Sequence, residues 1–155
     1  NSPRENALAI AYAELLSFFY NDGERIYELL NSKDENEVYQ DMKKAVVKFI
    51  NALNEDEKGS AIYVMEHDIS SLVKSKEDLR YFLDMLSQFF EDLLNIQSNR
   101  SIILTSYATI LNSLATKLRH ISSSLVEILK QRTIINLNVN NSLLLDHLTN
   151  FIVKE

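Results

Sequence analysis

The sequence contains no cysteine and no tryptophan, one proline (Pro3) and two glycines (Gly23 and Gly59) among its 155 residues. Without cysteine, the chain cannot provide a thiol nucleophile, a disulfide, an iron–sulfur cluster or a zinc ribbon, and this composition fits a reducing compartment. A glycine-rich phosphate-binding loop brings several backbone N–H groups against the phosphates, so it needs glycines close together. Two distant glycines exclude a site of that kind.

Long apolar runs are also missing. A helix that spans a bilayer needs about 20 consecutive apolar residues, and the run over residues 15–20 is far shorter than that. Hydrophobic residues make up 46% of the chain and charged residues 25%, which are ordinary values for a globular protein. We therefore expect one domain over residues 1–155, located in the cytoplasm and not in contact with a membrane.

The net charge of −6 is unevenly distributed along the chain. Residues 1–97 contain 10 Lys and Arg against 19 Asp and Glu, whereas residues 98–155 contain 6 against 3. Binding to nucleic acid through phosphate contacts requires a dense basic patch, and the few basic residues of the second part are scattered. We expect no direct nucleic-acid binding; the two signs either form solvated faces or help to orient the chain beside neighbouring subunits.

Apolar residues recur at helical spacing through most of the chain. The Ser2-Pro3 start, with Glu5 placed to complete a capping box, predicts a helix to Phe19. Further helices are predicted over about 24–30, 38–53, 55–74, 76–97, 103–118, 121–135 and 141–153. No alternating segment predicts a strand, so we expect an all-α bundle of about six to eight helices.

The last predicted helix is apolar on more than one face. It follows an asparagine-rich break, where Asn138 and Asn140 are the candidate helix caps. A self-contained bundle usually buries a single stripe of each helix. Two interpretations remain open: a central helix surrounded by its own chain, or a subunit interface. The candidate interface residues are Phe89, Phe90, Tyr107, Leu143, Leu144 and Leu145.

A search for catalytic and metal-binding patterns gives no candidate site. The three histidines (His67, His120 and His147) lack the Glu-x-x-His spacing of di-metal bundles, and no Gly-x-Ser-x-Gly motif is present. Glu91 and Asp92 lie on the polar side of their predicted helix, where we expect them to be solvated or paired with a partner's base. The sequence therefore predicts a non-catalytic chain without metal or cofactor.

Three segments resemble the C-terminal domain of the delta-prime subunit of bacterial DNA polymerase III. The run LDMLSQFFEDLL over residues 83–94 is similar to that family's segment ending in Asp-Leu-Leu. The run NVNNSLLLDHL over residues 138–148 is similar to its closing Asn-Val-Asn-Pro-x-Leu-x-Leu motif, with Asn141 in place of the usual proline. The opening SPRENAL over residues 2–8 is loosely similar to the segment that leads out of the family's lid region.

This resemblance implies a helical collar domain of a clamp loader. It implies that residues 1–20 lead out of a lid region, and that the partners are the delta and gamma/tau subunits of the loader. The complex opens the sliding clamp and places it on primed DNA during replication. The implied role of this chain is to hold the loader together, without ATP hydrolysis of its own.

A second hypothesis belongs to another class. A helical regulatory domain, such as the effector half of a repressor, would bind a small apolar ligand in a pocket among the aromatic residues. Saturable stabilisation by such a compound would favour this hypothesis over the collar domain.

Overall fold

The computed structural model describes residues 2–19, 22–55, 57–137 and 140–154, without the side chain of Leu8. Eight helices account for most of these residues, and no strand occurs among them, which confirms the predicted all-α bundle. The helices are α1 Pro3–Phe19, α2 Gly23–Asn31, α3 Lys33–Leu53, α4 over residues 58–72, α5 Lys76–Gln97, α6 Ala108–Lys117, α7 Ile121–Ile134 and α8 Asn141–Val153. Helix α4 contains a π-helical turn, Met65–Ile69.

Short polar side chains begin several helices at the positions that the sequence indicates. The Ser2 hydroxyl accepts a hydrogen bond from the Glu5 amide at 3.2 Å, and the Glu5 carboxylate accepts one from the Ser2 amide. Ser75 and Asp78 form the same reciprocal pair at the start of α5. The Asn140 side chain accepts a bond from the Leu143 amide and caps α8, as predicted. The other candidate cap, Asn138, lies outside the described residues.

Helix α5 lies at the centre of the bundle and contacts α1, α3, α6 and α7. It is the most regularly apolar segment of the sequence, and most of its apolar side chains have no exposed surface. Full burial stabilises the fold by about 1.5–3 kcal/mol for each large apolar side chain. The completely buried residues of α5 are Leu79, Phe82, Leu83, Met85, Leu86, Phe89, Phe90 and Leu93.

A buried arginine joins α2 to the central helix. The Arg25 guanidinium lies 4.1 Å from the centre of the Tyr81 ring and 5.1 Å from that of Phe19. It contacts the Glu77 carboxylate and lies 3.3 Å from that of Asp84. The other Asp84 oxygen accepts a bond from Arg132 of α7 at 2.7 Å, so one carboxylate connects three helices. Burial raises the pKa of Asp84, while both guanidinium groups lower it.

The expectation that Asp92 faces solvent is wrong. Its side chain has no exposed surface, and its carboxylate accepts backbone hydrogen bonds from Ile103 at 3.0 Å and from Leu104 at 2.7 Å. The chain turns back after α5 and covers this side of the helix, with Asn99 in a left-handed conformation (φ 55°) at the turn. Its neighbour Glu91 is exposed. Asp92 therefore holds the connection between α5 and α6.

Replacing Asp92 by alanine would leave the part-buried N–H of Ile103 and the buried N–H of Leu104 without an acceptor. Each unsatisfied group costs about 1–3 kcal/mol, so we expect Asp92→Ala to lower the free energy of unfolding by about 3 kcal/mol in urea titrations. The amides of Ile103 and Leu104 should also exchange faster with solvent. The matched control Glu91→Ala should change stability by less than about 0.5 kcal/mol. Equal losses from the two substitutions would contradict this role.

Candidate protein interaction surface

The aromatic residues proposed for the interface lie inside the protein. Phe89 and Phe90 have no exposed surface, because α1, α3, α6 and α7 pack against the apolar part of α5. Tyr107 is half-buried, with its ring centre 5.4 Å from that of Phe89. The prediction that Phe89 and Phe90 are available to a partner is therefore wrong for this structure.

The three leucines of the last helix differ in exposure. Leu144 and Leu145 are buried, because α8 packs on α4 and α7. Leu143 points away from this contact, with 68% of its surface exposed. Of the two open interpretations, burial by its own chain accounts for most of α8. Only Leu143 among its three candidate leucines remains available to a partner.

The first part of α1 is an uncovered apolar segment. Every described side chain from Ser2 to Ala13 is exposed, including Ile10 and Tyr12 at 47% each. Helix α1 reaches the core only near its end, where Leu15, Phe18 and Phe19 are buried. At 1.5 Å per residue, the uncovered stretch 3–13 is about 16 Å long.

This uncovered stretch is poorly suited to stand alone in water. Arg4 and Glu5 are its only charged residues, and four alanines alternate with larger side chains over residues 7–13. A helix of fewer than about 12–15 residues is only marginally stable without packing. Tyr12, Leu15 and Phe19 follow the 3,4-residue spacing by which one helix packs along another. The core contact of α1 thus continues outward onto a surface with the pattern of a helix–helix interface.

Helix α7 also has apolar residues on its outer face. Val126 is 62% exposed and Leu129 is 43% exposed, and the two are three residues apart on one side of the helix. The 3,4-residue spacing of Val126, Leu129 and Thr133 is the signal that could have identified this second apolar face.

The only acidic residue of α7 points inward. Glu127 is buried, its carboxylate lies 2.7 Å from Nε2 of His147 on α8, and it accepts a bond from Gln131 at 3.0 Å. The hydrogen bond with His147 is the main reason why the pKa of Glu127 lies below its usual value of 4.5. The accessible charge of α7 is consequently basic.

Helix α2 shows the opposite arrangement. Its only basic residue, Arg25, is buried against the carboxylates of Glu77 and Asp84. Its outer surface carries Tyr27 at 68% exposure and Leu30 at 55%, together with two exposed acids, Glu24 and Glu28.

A cleft of about 460 Å³ lies where the ends of α3, α6 and α8 meet the starts of α4 and α7. Its apolar lining includes Leu53, Leu118 and Ile152, and its charged lining includes Glu57 and Arg119. Among the described residues that line this cleft there is no Phe or Tyr. The aromatic side chains Phe18, Phe19, Tyr39, Tyr81 and Phe89 instead contact one another in the core.

Two searches of the described residues bear on metal and membrane binding. No group of three or more histidine or carboxylate side chains in residues 2–19, 22–55, 57–137 and 140–154 could hold a metal ion. Among the helices of the same residues, none combines the length and the apolar character that a membrane span requires.

The Glu127–His147 contact makes stability depend on pH. A carboxylate whose pKa is lower in the folded state than in the unfolded state stabilises the fold at pH values above its unfolded-state pKa. This contribution is lost as the pH falls through the folded-state pKa. We expect Glu127→Gln to be less stable than the unsubstituted protein at pH 7, and the difference to shrink below a pH of about 4.5. Unfolding in urea at several pH values measures this. His147→Ala should reduce the same pH dependence. If the stability difference between Glu127→Gln and the unsubstituted protein were constant with pH, it would contradict the role of the Glu127–His147 contact.

Comparisons with known proteins assign none of these surfaces to a family. No protein-family model matches the chain, and no curated protein and no solved structure matches it. The uncovered part of α1 and the outer faces of α2 and α7 are exposed apolar surfaces of this chain that other proteins can reach.

Proposed function

We propose that this chain is a non-catalytic assembly domain of a bacterial clamp loader, equivalent to the collar domain of a delta-prime subunit. It binds the delta and gamma/tau subunits and holds them in place while the loader opens the sliding clamp during DNA replication in the cytoplasm. The chain contributes binding surface and rigidity, and another part of the complex performs ATP hydrolysis.

The observation that carries this proposal is the uncovered apolar part of α1. Tyr12 is 47% exposed, although it continues a helix–helix packing pattern that begins in the core with Leu15 and Phe19. A contiguous exposed apolar surface of this kind marks a protein interaction site more often than a feature of an isolated monomer. A neighbouring helix laid along residues 3–13 would bury it.

The resemblance of the two longer segments supports the choice of family. Residues 83–94 lie in α5, the helix around which the bundle is built, and Asp92 within them holds the following loop. In the second segment, Asn140 caps α8. The residues that carry the resemblance are thus residues on which this fold depends. The lack of a glycine-rich phosphate loop in the sequence fits a subunit that does not hydrolyse ATP.

Co-migration with collar fragments tests the proposal. The purified chain is mixed with collar fragments of gamma and delta subunits, and we expect a shared peak in gel filtration. Two acidic residues in the uncovered part of α1, introduced as Ile10→Glu with Tyr12→Glu, should abolish the shared peak because they place charge in an apolar contact. The melting temperature should stay nearly unchanged, because both side chains are exposed.

Val38→Glu with Tyr63→Glu, on α3 and α4, is the matched control, because it places the same two negative charges on other exposed apolar positions. It should co-migrate as the unsubstituted chain does. Absence of a shared peak for the unsubstituted chain would reject the assembly function, and equal loss for the control would reject α1 as the contact.

A second candidate function is the binding of a small molecule, and the cleft at the helix ends favours it. Its volume of about 460 Å³ lies within the range of ligand sites, and apolar and charged groups line it together. A library of small apolar carboxylates would identify a ligand by its effect on the melting curve. At a hundredfold excess over the dissociation constant, we expect stabilisation by about 2.7 kcal/mol, and Leu118→Glu should remove it. This candidate function would be rejected if no compound stabilises the protein, or if Leu118→Glu leaves the stabilisation intact.

A further inference from the structure

The outer faces of α2 and α7 are complementary in charge. On α2, the exposed apolar residues Tyr27 and Leu30 are accompanied by Glu24 and Glu28, while the basic Arg25 is buried. Each exposed charge on this face is therefore negative. Glu24, Tyr27 and Leu30 follow one another at intervals of three residues and share one side of the helix.

Helix α7 has the corresponding arrangement with the charges reversed. Val126 and Leu129 are exposed beside Lys130, while the acidic Glu127 is buried and bonded to His147. In each of the two helices, the residue whose charge is opposite to that of the outer face is therefore buried inside the protein.

The α7 face also has a shape that can receive a side chain. A shallow cleft of about 560 Å³ beside Val126 is lined by Arg119, His120 and the Phe151 ring. Glu127 is the only acid among its lining residues, and its carboxylate already contacts His147. Within the described part of the chain, Arg119 forms no ion pair. The cleft therefore combines an apolar wall with an exposed guanidinium.

We propose that the α7 face binds the α2 face of a second copy of this chain, in a head-to-tail arrangement. Tyr27 and Leu30 of one copy lie in the cleft beside Val126 of the next, with Glu24 and Glu28 opposite Arg119 and Lys130. The contact joins two different surfaces and is therefore heterologous.

Charge selects this arrangement over the symmetric alternatives. Two α2 faces would bring acidic residues together, and two α7 faces would bring basic residues together, which opposes association. An anionic membrane surface would attract α7 but repel the acidic first part of the chain. The pairing of α2 with α7 alone matches both the apolar residues and the signs.

The contact is small, which determines its strength. A stable interface buries about 800 Å² on each partner, and a few exposed side chains on each helix cover less than that. We therefore expect self-association only at high protein concentration, with a strong dependence on salt because the charged groups lie at the surface.

Sedimentation velocity over a range of protein concentrations tests the proposal with the full 155-residue chain. We expect the average sedimentation coefficient to rise with concentration at about 0.05 M salt and to rise much less at about 0.5 M salt. A chain that stays monomeric at the highest concentration and lowest salt would overturn the proposal.

Charge reversal identifies the two faces. Glu24→Lys with Glu28→Lys makes the α2 face basic, and Arg119→Glu with Lys130→Glu makes the α7 face acidic. Each variant alone should self-associate at least about tenfold more weakly. Mixing the two variants should restore association, because the basic α2 face of one matches the acidic α7 face of the other. Failure of the mixture to associate would overturn the pairing.

The matched controls reverse exposed charges elsewhere. Glu66→Lys on α4 and Lys44→Glu on α3 should self-associate as the unsubstituted chain does. If a charge-reversed variant does not fold, the uncharged substitutions Tyr27→Ser and Val126→Ser can be used in its place. Each should weaken association, and unchanged association in both would overturn the proposal. This experiment uses the chain alone, so its outcome is independent of binding to gamma and delta collar fragments.

Discussion

The burial of the apolar residues of α5 is the constraint on which the rest of this structure depends. Its apolar residues occupy nearly the whole circumference of the helix, so α1, α3, α6 and α7 must surround it to remove them from water. The surrounding helices can each cover only part of this surface. Consequently the aromatic residues of α5 contribute to the core, and any contact with other proteins must use the outer helices.

Buried charges organise those outer helices. Arg25 joins α2 to α5, Asp92 holds the loop that follows α5, and Glu127 joins α7 to α8. Each is satisfied by a partner of opposite charge or by hydrogen bonds, as buried charges must be to avoid a large desolvation cost. Because Arg25 and Glu127 are used internally, α2 is left with an acidic outer face and α7 with a basic one.

The candidate interface was predictable only in part. An excess of apolar residues in α8 correctly indicated a helix with a large buried surface, but Leu144 and Leu145 are covered by the chain itself. Periodicity reports how many apolar residues a helix carries on each face, and it does not report which face another helix covers. For that reason α1, whose apolar residues resemble those of a buried helix, escaped notice as an uncovered surface.

The sequence by itself determined the all-α class, the approximate extent of the helices and the capping of α5 and α8, because these depend on interactions between residues close in the chain. It also determined the unequal distribution of charge. Only the tertiary structure decided that Asp92 is buried, that Phe89 and Phe90 are inaccessible, and that α1, α2 and α7 each carry exposed apolar residues. These properties depend on which distant segments meet, and local spacing contains no information about that.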